Sequence, residues 1–254
     1  MTTSTTKNKA ILLLNKVLKF ILPLLFILLI WEIISRFIDN EFFMPNIKST
    51  WLALINIVSA KGFFKIVSTA IIRVIKGIII GLISGFFLAT CCHFSSIVSA
   101  ILSPIISIMK ATPVACIIVL LWISMNNSNL AIFVVVIMVT PIIWQNVLEG
   151  YESVDKGLNE VAEVFEFSAL KKFKLLILPT LKSYIIPALI TSIGLAWKAE
   201  VAAEIMTNNN IGKLIYDLKT LTYDTASIFA WTVIIVILSI VFEKTSKYLL
   251  RRFL

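Results

Sequence analysis

Long apolar runs constrain this chain more than any other feature of it. Residues 17–38, 66–90, 97–124, 129–147, 183–206 and 225–244 are each dominated by Ile, Leu, Val, Phe and Ala. Each run is close to the roughly 20 residues that a helix needs to cross the hydrocarbon layer of a bilayer. Inside that layer no water satisfies backbone N–H and C=O groups, so a spanning segment must bond its own backbone. The expected fold is all-α: a polytopic membrane protein with about six transmembrane helices, forming one transmembrane domain over residues 1–254.

Composition supports this reading and excludes others. The 254 residues are 59% hydrophobic and 15% charged, with a mean hydropathy of +0.98. Soluble domains carry about 45–50% apolar and about 25% charged residues, so this mixture cannot build a water-exposed surface. The net charge of +9 does not indicate nucleic acid, because the basic residues sit where topology needs them. Lys7, Lys9, Lys16 and Lys19 precede the first run, and Lys244, Lys247, Arg251 and Arg252 follow the last. Basic residues gathered on one side of the spans mark the cytoplasmic face. Both termini are therefore expected inside, in the cytoplasmic membrane, together with a charged internal block bearing Lys156, Lys171, Lys172 and Lys174. Lys48, Lys61, Lys65, Lys213 and Lys219 fall on the opposite side, with Arg36 at the outer edge of the first span. The three cysteines make no disulfide framework. Cys91-Cys92-His93 lacks the second ligand cluster that a metal site requires and reads as a helix end. The first span is too long for a signal-peptide core and is followed by no small-residue cleavage site, so it is expected to be retained.

Punctuation along the chain divides the runs. Pro23 lies near the start of span one, where a proline disturbs little. Met44-Pro45 breaks helix, and Leu52, Leu54, Ile55 and Val58 then form an amphipathic stretch suited to the outer interface. Gly77, Gly81 and Gly85 fall on one face of span two and let another helix approach closely. Span three is expected to be interrupted at both Pro104 and Pro113, and residues 126–129, all Asn or Ser, to form a short turn before span four.

Residues 150–178 concentrate charge in an order that calls for explanation. Asp155 is a good N-cap residue, and Glu160 and Glu163 follow in early turns, where carboxylates favour the positive end of the helix dipole. Ser168 can cap a second helix, whose Lys171, Lys172 and Lys174 suit its negative end. Leu178-Pro179 marks where that second helix should end or bend. Two short helices thus account for acid first and base second. Val161, Val164, Phe165, Phe167, Leu170 and Phe173 exceed what one short surface helix needs. They suit either a partner protein or a loop lying on the membrane.

A resemblance decides between these. Glu160-Val161-Ala162, Ser168 and Leu178-Pro179 resemble the "EAA" loop of ATP-binding-cassette importer permeases, in which a glycine follows the glutamate by six residues and Leu-Pro by eighteen and nineteen. The run from Gly150 to Asp155 looks like the stretch that precedes the motif. Gly194-Leu195-Ala196-Trp197-Lys198-Ala199-Glu200-Val201-Ala202-Ala203-Glu204 is similar to the fifth-span signature of the nitrate/sulfonate/taurine branch. Met44-Pro45, Ser68 with Arg73, and residues 112–115 fall where that branch has similar residues. The resemblance implies that the block is a coupling-helix loop seated in a groove of a separate ATPase subunit, with Asp155, Glu160, Ala162, Glu163, Phe165, Glu166, Ser168 and Pro179 at the docking surface. It implies a second copy of this chain and an extracytoplasmic substrate-binding protein as further partners. No G-x-x-x-x-G-K-[ST] phosphate loop occurs, so ATP and Mg²⁺ are expected in the partner ATPase and no cofactor in this chain. One departure stands out: Glu166 occupies the glycine position. Glutamate adopts a positive φ at a cost of roughly 1–2 kcal/mol, so the bend is expected to use ordinary backbone angles instead.

Charges inside spans are costly and point to function. At roughly 100° per residue, Trp197, Glu200 and Glu204 share one stripe of span five and Lys198 lies well away from it. With the span centred near Gly194, Lys198 stands only about 6 Å from the midplane, facing a pathway, pairing with a carboxylate, or snorkelling outward. Glu200 and Glu204 repel at i, i+4 unless a cation or water intervenes, or else they simply mark the outer interface. Arg73, Lys110, Trp197, Lys198, Glu200 and Glu204 are the translocation-path candidates. The alternative for the cations is pairing with Glu32, Glu200 or Glu204. The expected function is a permease subunit, not an enzyme, of an ATP-dependent importer moving a sulfonate, taurine, a nitrate-like anion or a vitamin precursor by alternating access. The rival is a self-sufficient secondary transporter coupled to an ion through Glu200 and Glu204, although the internal repeats common in such proteins are not seen. A purely structural membrane subunit is the weaker third reading.

Overall fold

The computed structural model describes residues 3–125, 129–207 and 209–252. The elements are α1 (Thr3–Ile38), α2 (Ile47–Ser59), α3 (Phe63–Phe94), α4 (Ser96–Ala111), α5 (Val114–Ser124), α6 (Leu130–Glu152), α7 (Lys156–Val164), α8 (Ala169–Lys172), α9 (Leu178–Met206), α10 (Asn210–Asp217) and α11 (Thr225–Arg252). One π-helical turn, Phe173–Ile177, joins α8 to α9, and another, Leu218–Thr222, follows α10. No strand occurs among the described residues. Among the described residues, five helices are long and apolar enough to cross a membrane, and α4 with α5, bent by 104°, makes a sixth if the pair is one span.

The bend between α4 and α5 lies at Thr112-Pro113 alone. Thr112 is extended, at φ −75° and ψ 125°, as a residue before proline prefers. Pro104 was expected to interrupt the span too, but it lies inside α4. A proline in a helix removes one backbone bond, and here Ser103 before it stays helical. Of the expected turn at 126–129, residues 126–128 lie outside the described residues.

The chain divides into two compact units. In the first, residues 3–61 with 217–234, the turn after α1 is tied down by side chains. The Trp31 indole donates to the Pro45 carbonyl at 2.9 Å and the Ser35 hydroxyl to that of Met44 at 3.0 Å. Thr225 at the start of α11 donates to the Phe42 carbonyl at 2.7 Å. Asn46 caps α2 by accepting from the Ser49 N–H at 2.7 Å.

The second unit, residues 62–216 with 235–252, is organised by α3, α6 and α9. The three glycines of α3 face α6: a Cβ at Gly77, Gly81 or Gly85 would stand 2.6, 2.8 and 2.8 Å from the Cβ atoms of Val135, Val139 and Ile143. Glycine removes the side chain that would hold the two backbones apart, as its spacing implies. Ser84 and Thr140 share a hydrogen bond of 2.8 Å across the same seam. Gly150 does the same for α6 against α9, where a Cβ would lie 2.9 Å from Leu181. At the opposite end of α6, Leu130, Ala131 and Val134 pack with Ile118, Ala199 and Ala203. The end of α3 reads as anticipated, as a packed helix terminus. Cys92 accepts from the Trp144 indole at 3.4 Å, and the His93 ring stacks on Tyr151 with centroids 4.3 Å apart.

Candidate functional site

Two places in the second unit hold the candidate residues: the α7–α8 loop and the buried face of α9. The Asp155 carboxylate accepts from the N–H groups of Gly157 and Leu158 at 2.7 and 3.1 Å and so starts α7. Ser168 accepts from the Lys171 N–H at 3.4 Å and starts α8. Glu163 and Lys172 meet across the two helices at 3.4 Å, and the Lys171 ammonium lies 3.9 Å from the centre of the Phe167 ring. Ala162 is buried, while Glu160 and Pro179 are exposed. The apolar surplus is also outward: Val164 is 80% exposed, Phe165 71% and Leu170 65%. Where the chain was expected to end or bend at Leu178-Pro179, it instead passes through the π turn and Pro179 falls in the first turn of α9. A proline in continuous helix gives up one backbone bond, and the irregularity is taken up by the π turn just before it, where the Leu178 N–H reaches back to the Phe173 carbonyl.

Glu166 corrects the expectation of ordinary backbone angles: its φ is +49°. The cause is the termination geometry of α7. The Phe167 N–H bonds to the Ala162 carbonyl at 2.8 Å and the Glu166 N–H to that of Glu163 at 3.0 Å. This is the paired 6→1 and 5→2 pattern of a Schellman ending, which requires a left-handed residue at the position Glu166 occupies. The two carbonyl bonds, together with the Ser168 cap, outweigh the steric cost.

On α9 the stripe predicted from the sequence is present. Trp197 is 2% exposed, and Glu200 and Glu204 are both fully buried, whereas Lys198 is exposed on the other side of the helix. Arg73 of α3 pairs with Glu204 at 2.6 Å, so of the alternatives open to it Arg73 takes a carboxylate. The Glu204 carboxylate also accepts from the Asn210 side chain at 3.0 and 3.3 Å and from the Ile211 N–H at 3.0 Å. Asn210 donates in addition to the Ile66 carbonyl at 3.1 Å. Gly212 completes the contact, since a Cβ there would run into the backbone of Glu204 and Ile205. The sequence reading missed Asn210, Ile211 and Gly212; the Asn-Ile-Gly run after the apolar span was the available signal for a turn folding back on the helix end. Among the described residues, Glu200 has no hydrogen-bond donor and the Trp197 indole N–H no acceptor. Lys110 is not part of this cluster. It bonds to Gln145 of α6, which in turn donates to Glu149 at 2.8 Å. Glu32 bonds to Arg36 within α1 at 2.9 Å. The candidates thus occupy three places: Arg73, Trp197, Glu200 and Glu204 together, Lys198 on the opposite face of α9, and Lys110 on α4.

Membrane-length helices, buried charge among them and an amphipathic helix pair on the same chain are the features of a polytopic membrane protein. The chain belongs to the binding-protein-dependent transport system inner membrane component family, whose pattern matches residues 77–254. That description is of a transport component of the inner membrane. It is 31% identical over 159 residues to the nitrate import permease protein NrtB of Leptolyngbya laminosa, covering 62% of this chain and 57% of that one. With the bicarbonate transport system permease protein CmpB of Synechococcus elongatus it shares 30% over 153 residues, 60% and 55% of the two chains. The chain therefore matches a little over half the length of these two relatives. Against SsuC of Bacillus subtilis, named as a permease protein for aliphatic sulfonates, identity is 23% over 232 residues, 90% and 83% of the chains. Among solved structures, an amino acid ABC transporter with histidines superposes with a TM-score of 0.59 at 21% identity, covering 74% of this chain and 89% of that one. The inward-facing MetNI methionine ABC transporter gives 0.54 at 17%, covering 81% and 94%. These two likenesses concern the fold.

Proposed function

We propose that this chain is the membrane-spanning subunit of an ATP-driven importer for a small anion, working as a homodimer with two ATPase subunits that carry ATP and Mg²⁺. An extracytoplasmic binding protein delivers the solute, and both termini and the α7–α8 loop face the cytoplasm. The observation that carries this reading is the loop itself. Val164, Phe165 and Leu170 stand outward on a capped, ion-paired pair of helices, and that pair continues through the π turn Phe173–Ile177 directly into α9. Apolar side chains held out on a rigid frame suit a protein groove. The three anions in the relatives' names support an anionic cargo, and Lys198, exposed on a membrane helix, suits one. An ammonium facing lipid is costly, whereas one facing an aqueous path compensates a dehydrated anion.

The test is co-purification followed by reconstitution with the neighbouring ATPase and binding protein. Phe165→Glu should abolish association with the ATPase and leave the helical content of the permease unchanged. Transport by this chain alone, driven by an ion gradient, would instead establish the secondary-transporter reading.

A further inference from the structure

Glu204 is fully accounted for: Arg73 balances its charge, and Asn210 and the Ile211 N–H complete its hydrogen bonds. Glu200, one turn away on the same stripe of α9, is equally buried and, among the described residues, accepts from no N–H donor, its polar neighbour being the Glu204 carboxyl itself. Counted together, Arg73, Glu200 and Glu204 leave one negative charge without an opposite partner in a membrane-embedded fold. Among the described residues, the elements packed on α9 bring no further charge into hydrogen-bond contact with Glu200. On α3, Lys65 and Lys76 are exposed, and His93 stacks on Tyr151 at the far end. α5 carries no charged residue, and the acids of α6, Glu149 and Glu152, lie in its last turns, away from the Ala199–Ala203 end of α9. Glu243 of α11 faces α9 at Gly194 and adds a negative charge, and past it α11 runs toward Leu189 and away from Glu200, carrying Lys244 and Lys247 with it. α10 contributes the exposed Lys213.

An uncompensated carboxylate in such surroundings is strongly disfavoured, and buried polar atoms without partners in native proteins point to a bound water or ion. Coulombic repulsion between glutamates at i, i+4 adds to the demand for positive charge. We infer that the Glu200–Glu204 pair is a binding site for one exchangeable monovalent cation, a proton or an alkali-metal ion, held on Glu200 while Arg73 serves Glu204. The site rests on the fold alone and does not depend on which energy source drives transport.

The experiment uses the purified full-length chain in detergent micelles, with melting temperature and tryptophan fluorescence as readouts, Trp197 being one turn from Glu200. NaCl, LiCl or KCl replaces N-methylglucamine chloride at constant ionic strength, and each series is repeated across pH. An alkali ion gives a saturable rise in melting temperature at fixed pH. A proton gives no dependence on the salt cation but a shift with pH. Glu200→Gln, which keeps the shape and removes the charge, abolishes the salt-cation response, or in the proton case removes the share of the pH shift that Glu200 contributes while the share of the other titratable groups stays. A wild-type protein whose melting is flat in both series, or a Glu200→Gln variant that responds as the wild type does, overturns the assignment. Loss of ATPase association in Phe165→Glu leaves these measurements untouched, so the two readings fail separately.

Discussion

Glu166 sits at φ +49°, where a side chain meets its own backbone and costs roughly 1–2 kcal/mol relative to glycine. Glu166→Gly should relieve that cost locally. Amide exchange at Glu166 and Phe167, whose N–H groups close the end of α7, is expected to slow by about fivefold or more for a gain of about 1 kcal/mol. Unchanged protection at those two amides would show that the loop does not feel the strain. Arg73 offers the opposite case. Removing one partner of a buried ion pair costs about 3–5 kcal/mol because the other charge is stranded. Arg73→Leu alone should therefore lower thermal stability far more than the double replacement of Arg73 and Glu204 by Leu. Equal melting of the single and double variants would refute this. Asp155 and Ser168 were legible as caps because a cap is a local bond, closed within three residues. The handedness of Glu166 was not, since a glutamate carries no mark of it and the two carbonyl bonds that impose it become visible only once α7 has ended.

Among the elements, the seam between α3 and α6 is held close by three successive glycines. A Cβ at Gly81 would stand 2.8 Å from that of Val139, so Gly81→Val has no room without separating the helices. Overpacking a close seam costs typically about 1–3 kcal/mol, and Gly81→Val should lower the melting temperature. Substitution at Gly62, where a Cβ would meet nothing within 4 Å, would strain only its own positive φ. If Gly81→Val melts with the wild type, the seam is looser than drawn. The glycine stripe was legible because helical periodicity alone puts the three on one face. The clamp on Glu204 was not, since Arg73 lies 131 residues away in sequence and a chain pattern does not record which distant helix arrives. Pro104 and Pro113 carry the same lesson at element scale. Both are prolines in apolar runs, and only the one whose predecessor turned extended became a bend.

For the molecule as a whole, an importer of anions predicts a division of labour between the two faces of α9. Lys198→Ala should reduce solute uptake by reconstituted transporter while ATP hydrolysis by the complex persists. Uptake equal to wild type would remove Lys198 from the path. Helical geometry put Lys198 and the Glu200–Glu204 stripe on different sides of α9 in advance; which side would be buried was not readable, because that depends on the helices packed against it. The solute was not, because none of the residues that distinguish nitrate from bicarbonate or a sulfonate can be picked out by spacing.

The uninterrupted run of α9 has a mechanical corollary. From Pro179 to Glu204 the helix extends about 38 Å at 1.5 Å per residue. A rod of that length converts angle into distance, and a tilt of about 3° about Pro179 displaces the far end by about 2 Å. The contact between Arg73 and Glu204 is 2.6 Å. A deflection too small to notice at the surface helices is therefore large enough to part an ion pair at the other end of the lever.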